Sequence, residues 1–106
     1  MNNITRNEKL KNILNDTYGN PALRKLIKIA DSGHDSIHIG VDVYYRFWIT
    51  FNDGYLPDGV ALICPTGRGY NVDTAAENLL KEITGHTLIF HADKKLGEGR
   101  REICVV

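Results

Sequence analysis

The segment from residue 37 to residue 51 alternates strictly between apolar and other side chains. Its odd positions carry Ile37, Ile39, Val41, Val43, Tyr45, Phe47, Ile49 and Phe51. Its even positions carry His38, Gly40, Asp42, Tyr44, Arg46, Trp48 and Thr50. A period of two is typical of β-structure with one face in a hydrophobic core. The chain must therefore build a sheet, and the two faces of this segment must meet different surroundings.

The length of this segment leaves two ways to fold it. Fully extended, it would span about 50 Å, which is longer than strands of globular proteins usually are. A hairpin with a two-residue loop would mix odd and even positions on one face and so break the pattern. A hairpin with an odd-numbered loop near Asp42 keeps the pattern, and so does one strand that bends at a bulge at Gly40. We favour the bent strand and keep the hairpin as the alternative.

Two helices are predicted before this segment. Thr5 and Glu8 form a capping box for the first helix, and Gly19 ends it. Asn20 and Pro21 start the second helix at once, as N-cap and first helical residue. The buried stripe of the second helix comprises Leu23, Leu26, Ile27 and Ala30.

The chain after residue 51 adds strands and one further helix. The apolar run Val60–Cys64 is typical of a strand buried on both faces, whereas Tyr55 and Leu56 are too few between two turn signals to form a substantial strand. A loop is predicted over 66–72, and Asp73 is predicted as the N-cap of a third helix. The buried stripe of that helix comprises Ala76, Leu79, Leu80 and Ile83. Strands over 87–92 and 101–106 form a final hairpin.

These elements predict a single α+β domain over residues 1–106, in the order α-α-β-β-α-β-β. The sheet is mainly antiparallel with four to five strands, and the N-terminal helical hairpin and one further helix pack on it. The length and the 42% apolar content are ordinary for one globular domain. No apolar stretch reaches the length of a membrane span, and the polar start lacks the apolar core of a signal peptide. We therefore expect a cytoplasmic protein with no membrane contact.

The charge and the cysteines of the chain make some classes of function less expected. Thirteen basic and thirteen acidic residues give a formal net charge of zero, which removes the usual argument for a nucleic-acid binder. Cys64 and Cys104 each lie in an apolar run, so we expect buried, free, unreactive thiols. No metal-ligand spacing and no nucleophile motif is present, so no catalytic residue, metal or cofactor is predicted.

The even positions of the long segment offer a candidate binding site. Tyr44, Arg46 and Trp48 would lie on one side, and Tyr, Trp and Arg are the residues most enriched in binding hot spots. His38 and Asp42 belong to the same side. The alternative is that helices cover this side as well, in which case its aromatic side chains belong to a second layer of core. We therefore predict a non-enzymatic protein-binding domain, a regulator or inhibitor of the kind that a phage or mobile element could encode. A homodimer through a sheet edge, with the apolar run Ile103–Val106 as the candidate edge, is a further expectation.

Two alternative functions would depend on other residues of the chain. A nucleic-acid-binding module would use the same face together with the basic residues Lys94, Lys95, Arg100 and Arg101. A small ligand-binding or enzymatic domain would use the loop Gly67-Arg68-Gly69 as an anion site ahead of the third helix.

Overall fold

The computed structural model describes residues 20–92 and 99–106. In these residues the chain forms two helices, α1 (Pro21–Ser32) and α2 (Val72–Ile83). The strands in chain order are β1 (Ile37–Val41), β2 (Phe47–Phe51), β3 (Gly54–Asp58), β4 (Ala61–Ile63), β5 (Thr66–Gly69), β6 (Thr87–Phe90) and β7 (Arg101–Cys104). One sheet has the order β1-β2-β5 and the other β4-β3-β6-β7, with every pair antiparallel.

The predicted α+β class and element order are confirmed, and the number of strands is larger than predicted. The first predicted helix, from Thr5 to Gly19, lies outside the described residues. In the described part of the chain, neither helix is long and apolar enough to cross a membrane.

Helix α1 begins at the predicted residues and buries the predicted stripe. The side chain of Asn20 accepts a hydrogen bond from the N–H of Leu23 at 2.9 Å, and Pro21 is the first helical residue. The N–H of Gly33 donates to the carbonyls of Ile29 and Ala30 where the helix ends. The predicted stripe is buried in full: Leu23, Leu26, Ile27 and Ala30.

The segment 37–51 is a hairpin, so the favoured bent strand was wrong and the alternative was right. Ile37 pairs with Phe51 and Val41 with Phe47, which leaves an odd-numbered connection around Asp42. The pairing keeps odd positions on one face, as the parity of the sequence requires. Gly40 lies in the regular ladder opposite Trp48 and forms no bulge.

The segment between β2 and α2 departs most from expectation. Residues 54–58 form a full strand, because Gly54 and Tyr55 pair with β6 and the rest of β3 pairs with β4. β4 is a strand, yet all three of its residues are exposed, since it lies at the edge of its sheet. The predicted loop over 66–72 contains β5, which pairs with β2.

Helix α2 packs tightly on the first sheet. Its N-cap is Asn71, whose side chain accepts from the N–H of Thr74 at 2.7 Å, and not Asp73 as predicted. A Cβ at Gly67 would lie 2.2 Å from the carbonyl oxygen of Ala75, so only glycine allows this close approach. Helix α2 thereby covers the odd face of β2 and β5.

One hydrophobic core joins both sheets and both helices. The rings of Phe51 and Phe90, one from each sheet, meet edge to face with centroids 5.5 Å apart. The fully buried members include Leu23, Leu26, Ile27, Ile49, Leu79, Ile83, Leu88 and Val105.

Candidate binding face

The even face of the first sheet points away from α2. Cross-strand pairing arranges nine residues there in three rows: His38, Thr50 and Thr66; Gly40, Trp48 and Arg68; Asp42, Arg46 and Tyr70. The last row continues the strand register by one step. Arg68 and Tyr70 are exposed, and Trp48 and Thr50 are partly exposed. We call these nine residues the open face.

Asp42 organises the end of the open face where β1 turns into β2. Its carboxylate accepts from the N–H of Tyr44 at 2.8 Å, the N–H of Arg46 at 3.1 Å and Nε of Arg46 at 3.3 Å. The Arg46 N–H is the largest cause that holds the pKa of Asp42 below its usual value. The Tyr44 N–H and the Arg46 charge act in the same direction, against partial desolvation. The backbone adds a bond from the N–H of Asp42 to the carbonyl of Arg46 at 2.9 Å.

The three residues inside this connection expose their side chains. We call Val43, Tyr44 and Tyr45 the tyrosine turn; their exposed fractions are 85%, 71% and 85%. Tyr45 has a φ of +61°, a positive value that His34 and His91 also have and that residues other than glycine, asparagine, aspartate and histidine seldom adopt. The turn thus combines a strained backbone with a concentrated apolar surface.

Arg46 connects the tyrosine turn to the sheet. Its guanidinium lies 5.4 Å from the ring centroid of Tyr44, within the range of a cation–π contact. Tyr44, Arg46 and Tyr70 line an open depression of about 360 Å³. Tyr44 therefore lies in a turn and not on a strand, but it remains beside Arg46, as the sequence predicted for a shared face.

Trp48 lies across the middle row of the open face. A Cβ at Gly40 would lie 2.3 to 2.8 Å from Cζ2, Cε2 and Nε1 of the indole, so this edge of the ring sits directly above Gly40. The side chain of Trp48 is partly buried by this contact. In the neighbouring row, Nε2 of His38 is buried and has no hydrogen-bond partner among the described residues.

Arg68 joins two predicted sites into one. It pairs with Trp48 across β2 and β5, and its guanidinium has no hydrogen-bond or ion-pair partner within residues 20–92 and 99–106. Its carbonyl accepts from the side-chain amide of Asn78 at 2.6 Å. Gly67 and Gly69 face α2, so of the three residues proposed as an anion loop only Arg68 presents a side chain to the open face.

Sequence reasoning missed Tyr70, Val43 and Tyr45 as members of this surface. The available signal was parity: once 37–51 is a hairpin and 66–69 pairs with it, position 70 must follow 68 and 66 on the even face. The lysines at 94 and 95 lie outside the described residues. Arg100 is partly buried and Arg101 is exposed on β7.

Among the described residues, the cysteines and histidines form no second candidate site. The prediction of buried thiols is wrong: Cys64 and Cys104 are free and exposed, because each lies at or beside an edge strand. Sγ of Cys64 lies 3.0 Å from Oγ1 of Thr50. In the described part of the chain, no group of three or more His, Cys, Asp or Glu side chains could hold a metal ion.

His91 has a structural place away from the open face. Its Nδ1 lies 3.1 Å from a carboxylate oxygen of Asp53, and its Nε2 lies 2.8 Å from the carbonyl oxygen of Gly33. The imidazole therefore connects the end of α1, the turn between β2 and β3, and the end of β6.

The chain matches no protein-family model, no curated protein and no solved structure. The fold and the site define it as an α+β domain with two antiparallel sheets, one of which has a helix on one face and a row of aromatic and arginine side chains on the other.

Proposed function

We propose that this chain is a non-enzymatic protein-binding domain whose contact surface is the tyrosine turn together with the adjoining part of the open face. The observation that carries the proposal is Tyr45, an exposed residue at a φ of +61°. A left-handed conformation costs an ordinary L-residue about 1–2 kcal/mol, which glycine avoids. Strain of this kind is concentrated at functional sites, where the side chain serves another purpose.

Preorganisation supports the same conclusion. Arg46 is held by Asp42 and lies against Tyr44, while Trp48 is seated on Gly40. Side chains that are already fixed lose little conformational entropy on binding, so more of the contact energy becomes affinity. Tyr, Trp and Arg are also the usual anchors of interfaces. Such a surface suits a regulator or inhibitor that acts by occupying a site on its partner.

A single-stranded nucleic acid is the second candidate, because of one observation. Arg68 is exposed without a partner in the described chain and lies directly beside Trp48. An aromatic ring next to a free guanidinium can stack a base and contact its phosphate. The zero net charge gives this candidate less support than the protein partner.

The test compares two matched double variants in capture from a cell extract. Tyr44→Ala with Trp48→Ala alters the proposed surface, and Glu77→Ala with Lys81→Ala alters the exposed side of α2. We expect a protein that is retained by the wild type and by the α2 variant and is lost with the Tyr44/Trp48 variant. A protein retained equally by all three would contradict the proposed surface.

Salt dependence separates the two candidates. With Arg46 and Arg68 on phosphates, the affinity for a labelled oligo-dT should fall about sevenfold between about 50 and 200 mM salt. Arg68→Ala should reduce the slope of log affinity against log salt by about half. A protein complex anchored by aromatic side chains should change much less over the same range.

A further inference from the structure

Within residues 20–92 and 99–106, strand β1 is an edge strand without the charges, prolines or bulges that usually protect such an edge. Its five residues, Ile37–Val41, include no Lys, Arg, Asp, Glu or Pro, and its pairing with β2 has no bulge. Natural proteins usually guard such edges with charges, prolines or bulges, because an open edge pairs with another strand.

The hydrogen bonds at both ends of the hairpin fix which residues of β1 face outward. The N–H of Asn52 donates to the carbonyl of Ser36, and the N–H of Asp42 donates to the carbonyl of Arg46, both at 2.9 Å. Even-numbered residues therefore bond to β2, because hydrogen-bonded and non-bonded pairs alternate along an antiparallel ladder. The N–H and C=O groups of Ile37, Ile39 and Val41 consequently point to the free edge.

The apolar face of the first sheet also continues past its cover at this edge. Ile37 and Ile49 on that face are buried, whereas Val41 is 53% exposed and Ile39 is only partly buried. Helix α2 packs on β2 and β5 and helix α1 contacts β1, yet Val41 at the far end of β1 stays exposed.

We propose that two copies of this chain pair antiparallel through their β1 edges, with the two-fold axis at Ile39. In this register Ile39 faces Ile39 of the second copy, and Ile37 faces its Val41. Each of these pairs brings outward N–H and C=O groups together, and Val41 is covered by an apolar side chain. The formal net charge of zero imposes no overall repulsion between copies.

The same register gives His38 a polar neighbour. His38 would lie across from Gly40 of the second copy, above which the indole Nε1 of its Trp48 is placed. The two open faces would become one continuous surface on a six-stranded sheet.

The other edges fit a second copy less well. β4 has three residues, β7 carries Arg101 and Glu102, and on β5 the carbonyl of Arg68 already accepts from Asn78. The β1 pairing buries less than the area of about 1,200–2,000 Å² that is typical of stable complexes, so the dimer should be weak and reversible. This inference goes beyond the proposed function, and it is tested without any partner protein.

Sedimentation equilibrium on matched proline variants tests the register. Val41→Pro removes an outward N–H at an exposed position and leaves the bonds of the hairpin intact. Leu62→Pro is the control, because Leu62 is exposed on the edge strand β4 and lies opposite Pro57. A two-residue connection is expected to close on a hydrogen-bonded pair, here Asp58 and Ala61, so the N–H of Leu62 in the next pair should also point outward. We expect a monomer–dimer equilibrium that Val41→Pro weakens by about tenfold or more and Leu62→Pro by less than about twofold.

Fluorescence of Trp48, the single tryptophan, gives an independent readout. Its emission should shift on dilution of the wild type and of Leu62→Pro, and stay constant for Val41→Pro. Circular dichroism establishes whether each variant is folded. If Val41→Pro is not folded, Val41→Lys replaces it, because the lysine places a charge on the same edge. A wild type that is monomeric at every concentration, a dimer that survives both Val41 variants, or one that Leu62→Pro dissociates would overturn the proposal.

Discussion

Two hairpins of this chain, β1–β2 and β3–β4, each place one residue at a positive φ and fill that position with different residues. The β3–β4 connection places Gly59 at a φ of +63°, and the β1–β2 connection places Tyr45 at +61°. Gly59 needs no support, and nothing lies within 4 Å of where its Cβ would be. Tyr45 occupies a turn fixed by the Asp42 carboxylate, which accepts hydrogen bonds from Tyr44 and Arg46.

This difference shows that the β1–β2 turn is not optimised for folding. A hairpin turn with a left-handed position is usually satisfied by glycine or asparagine, as in the β3–β4 turn. The β1–β2 turn instead keeps two tyrosines and a valine exposed. The strain is tolerated because the hydrogen bonds of Asp42 fix the turn, and the surface so formed is the one that we propose to bind a partner.

The largest effect should follow from filling the space under Trp48. Gly40→Ala puts a methyl group 2.3 Å from the present position of Cζ2 of the indole, so the ring must move. We expect a loss of about 1–3 kcal/mol in the free energy of unfolding, measured by urea denaturation. The fluorescence of Trp48 should also shift to the red as the ring becomes more exposed.

A double-variant cycle isolates the cause of that loss. In a Trp48→Leu background the smaller side chain leaves room for the methyl group, so Gly40→Ala should cost much less. An equal cost in both backgrounds would mean that the glycine serves the backbone of β1 and not the seat of the indole.

The next effect tests the comparison directly by giving the second turn the residue of the first. Gly59→Tyr adds a side chain that meets open space, so its cost comes from the backbone alone. We expect a loss of about 1–2 kcal/mol in unfolding free energy. If the variant is as stable as the wild type, a positive φ alone does not strain a tyrosine in this chain, and the support that Tyr45 gives to the proposed function is weakened.

The reverse exchange should be smaller and of opposite sign. Tyr45→Gly removes the strain but increases the entropy of the unfolded chain, so the net gain should be about 0.5–1 kcal/mol. Little packing is lost, because Tyr45 is 85% exposed. Thermal unfolding should therefore show a more stable protein, while capture of the partner is weakened; a partner retained at full strength would place the contact surface elsewhere.

The sequence predicts the local elements of this fold better than their partners. Capping and periodicity located α1 and its buried stripe, because these signals lie within a few residues of each other. Parity also limited the segment 37–51 to two solutions. The choice between them depended on Asp42, whose hydrogen bonds to Tyr44 and Arg46 close the turn without glycine, and no short motif announces such a turn.

For a similar reason, the sequence predicts the residues of the site separately and not as one surface. The sequence predicts Trp48 on a strand face and Arg68 in a separate loop. Twenty positions separate the two residues, and only the β2–β5 pairing brings them together. The apolar sequence of β4 does not predict its exposure, because the burial of a strand depends on whether it lies in the middle or at the edge of the sheet. The sequence predicts Gly67 as part of an anion-binding loop, whereas in the structure Gly67 allows the close approach of the α2 backbone.

The smallest effect concerns the charge that holds the β1–β2 turn. The folded-state pKa of Asp42 is lowered, chiefly by the Arg46 N–H, so the unfolded chain binds this proton at a higher pH than the folded one does. The stability it contributes is present in full above the unfolded value of about 3.9 and is lost as the pH falls through the folded value. The difference in unfolding midpoint between the wild type and Asp42→Asn should thus stay constant from about pH 7 to 5 and shrink below about pH 4. A difference that persists unchanged in acid would show that the turn depends on the geometry of the Asp42 side chain and not on its charge, and the β1–β2 turn would then resemble the β3–β4 turn in needing only the right shape.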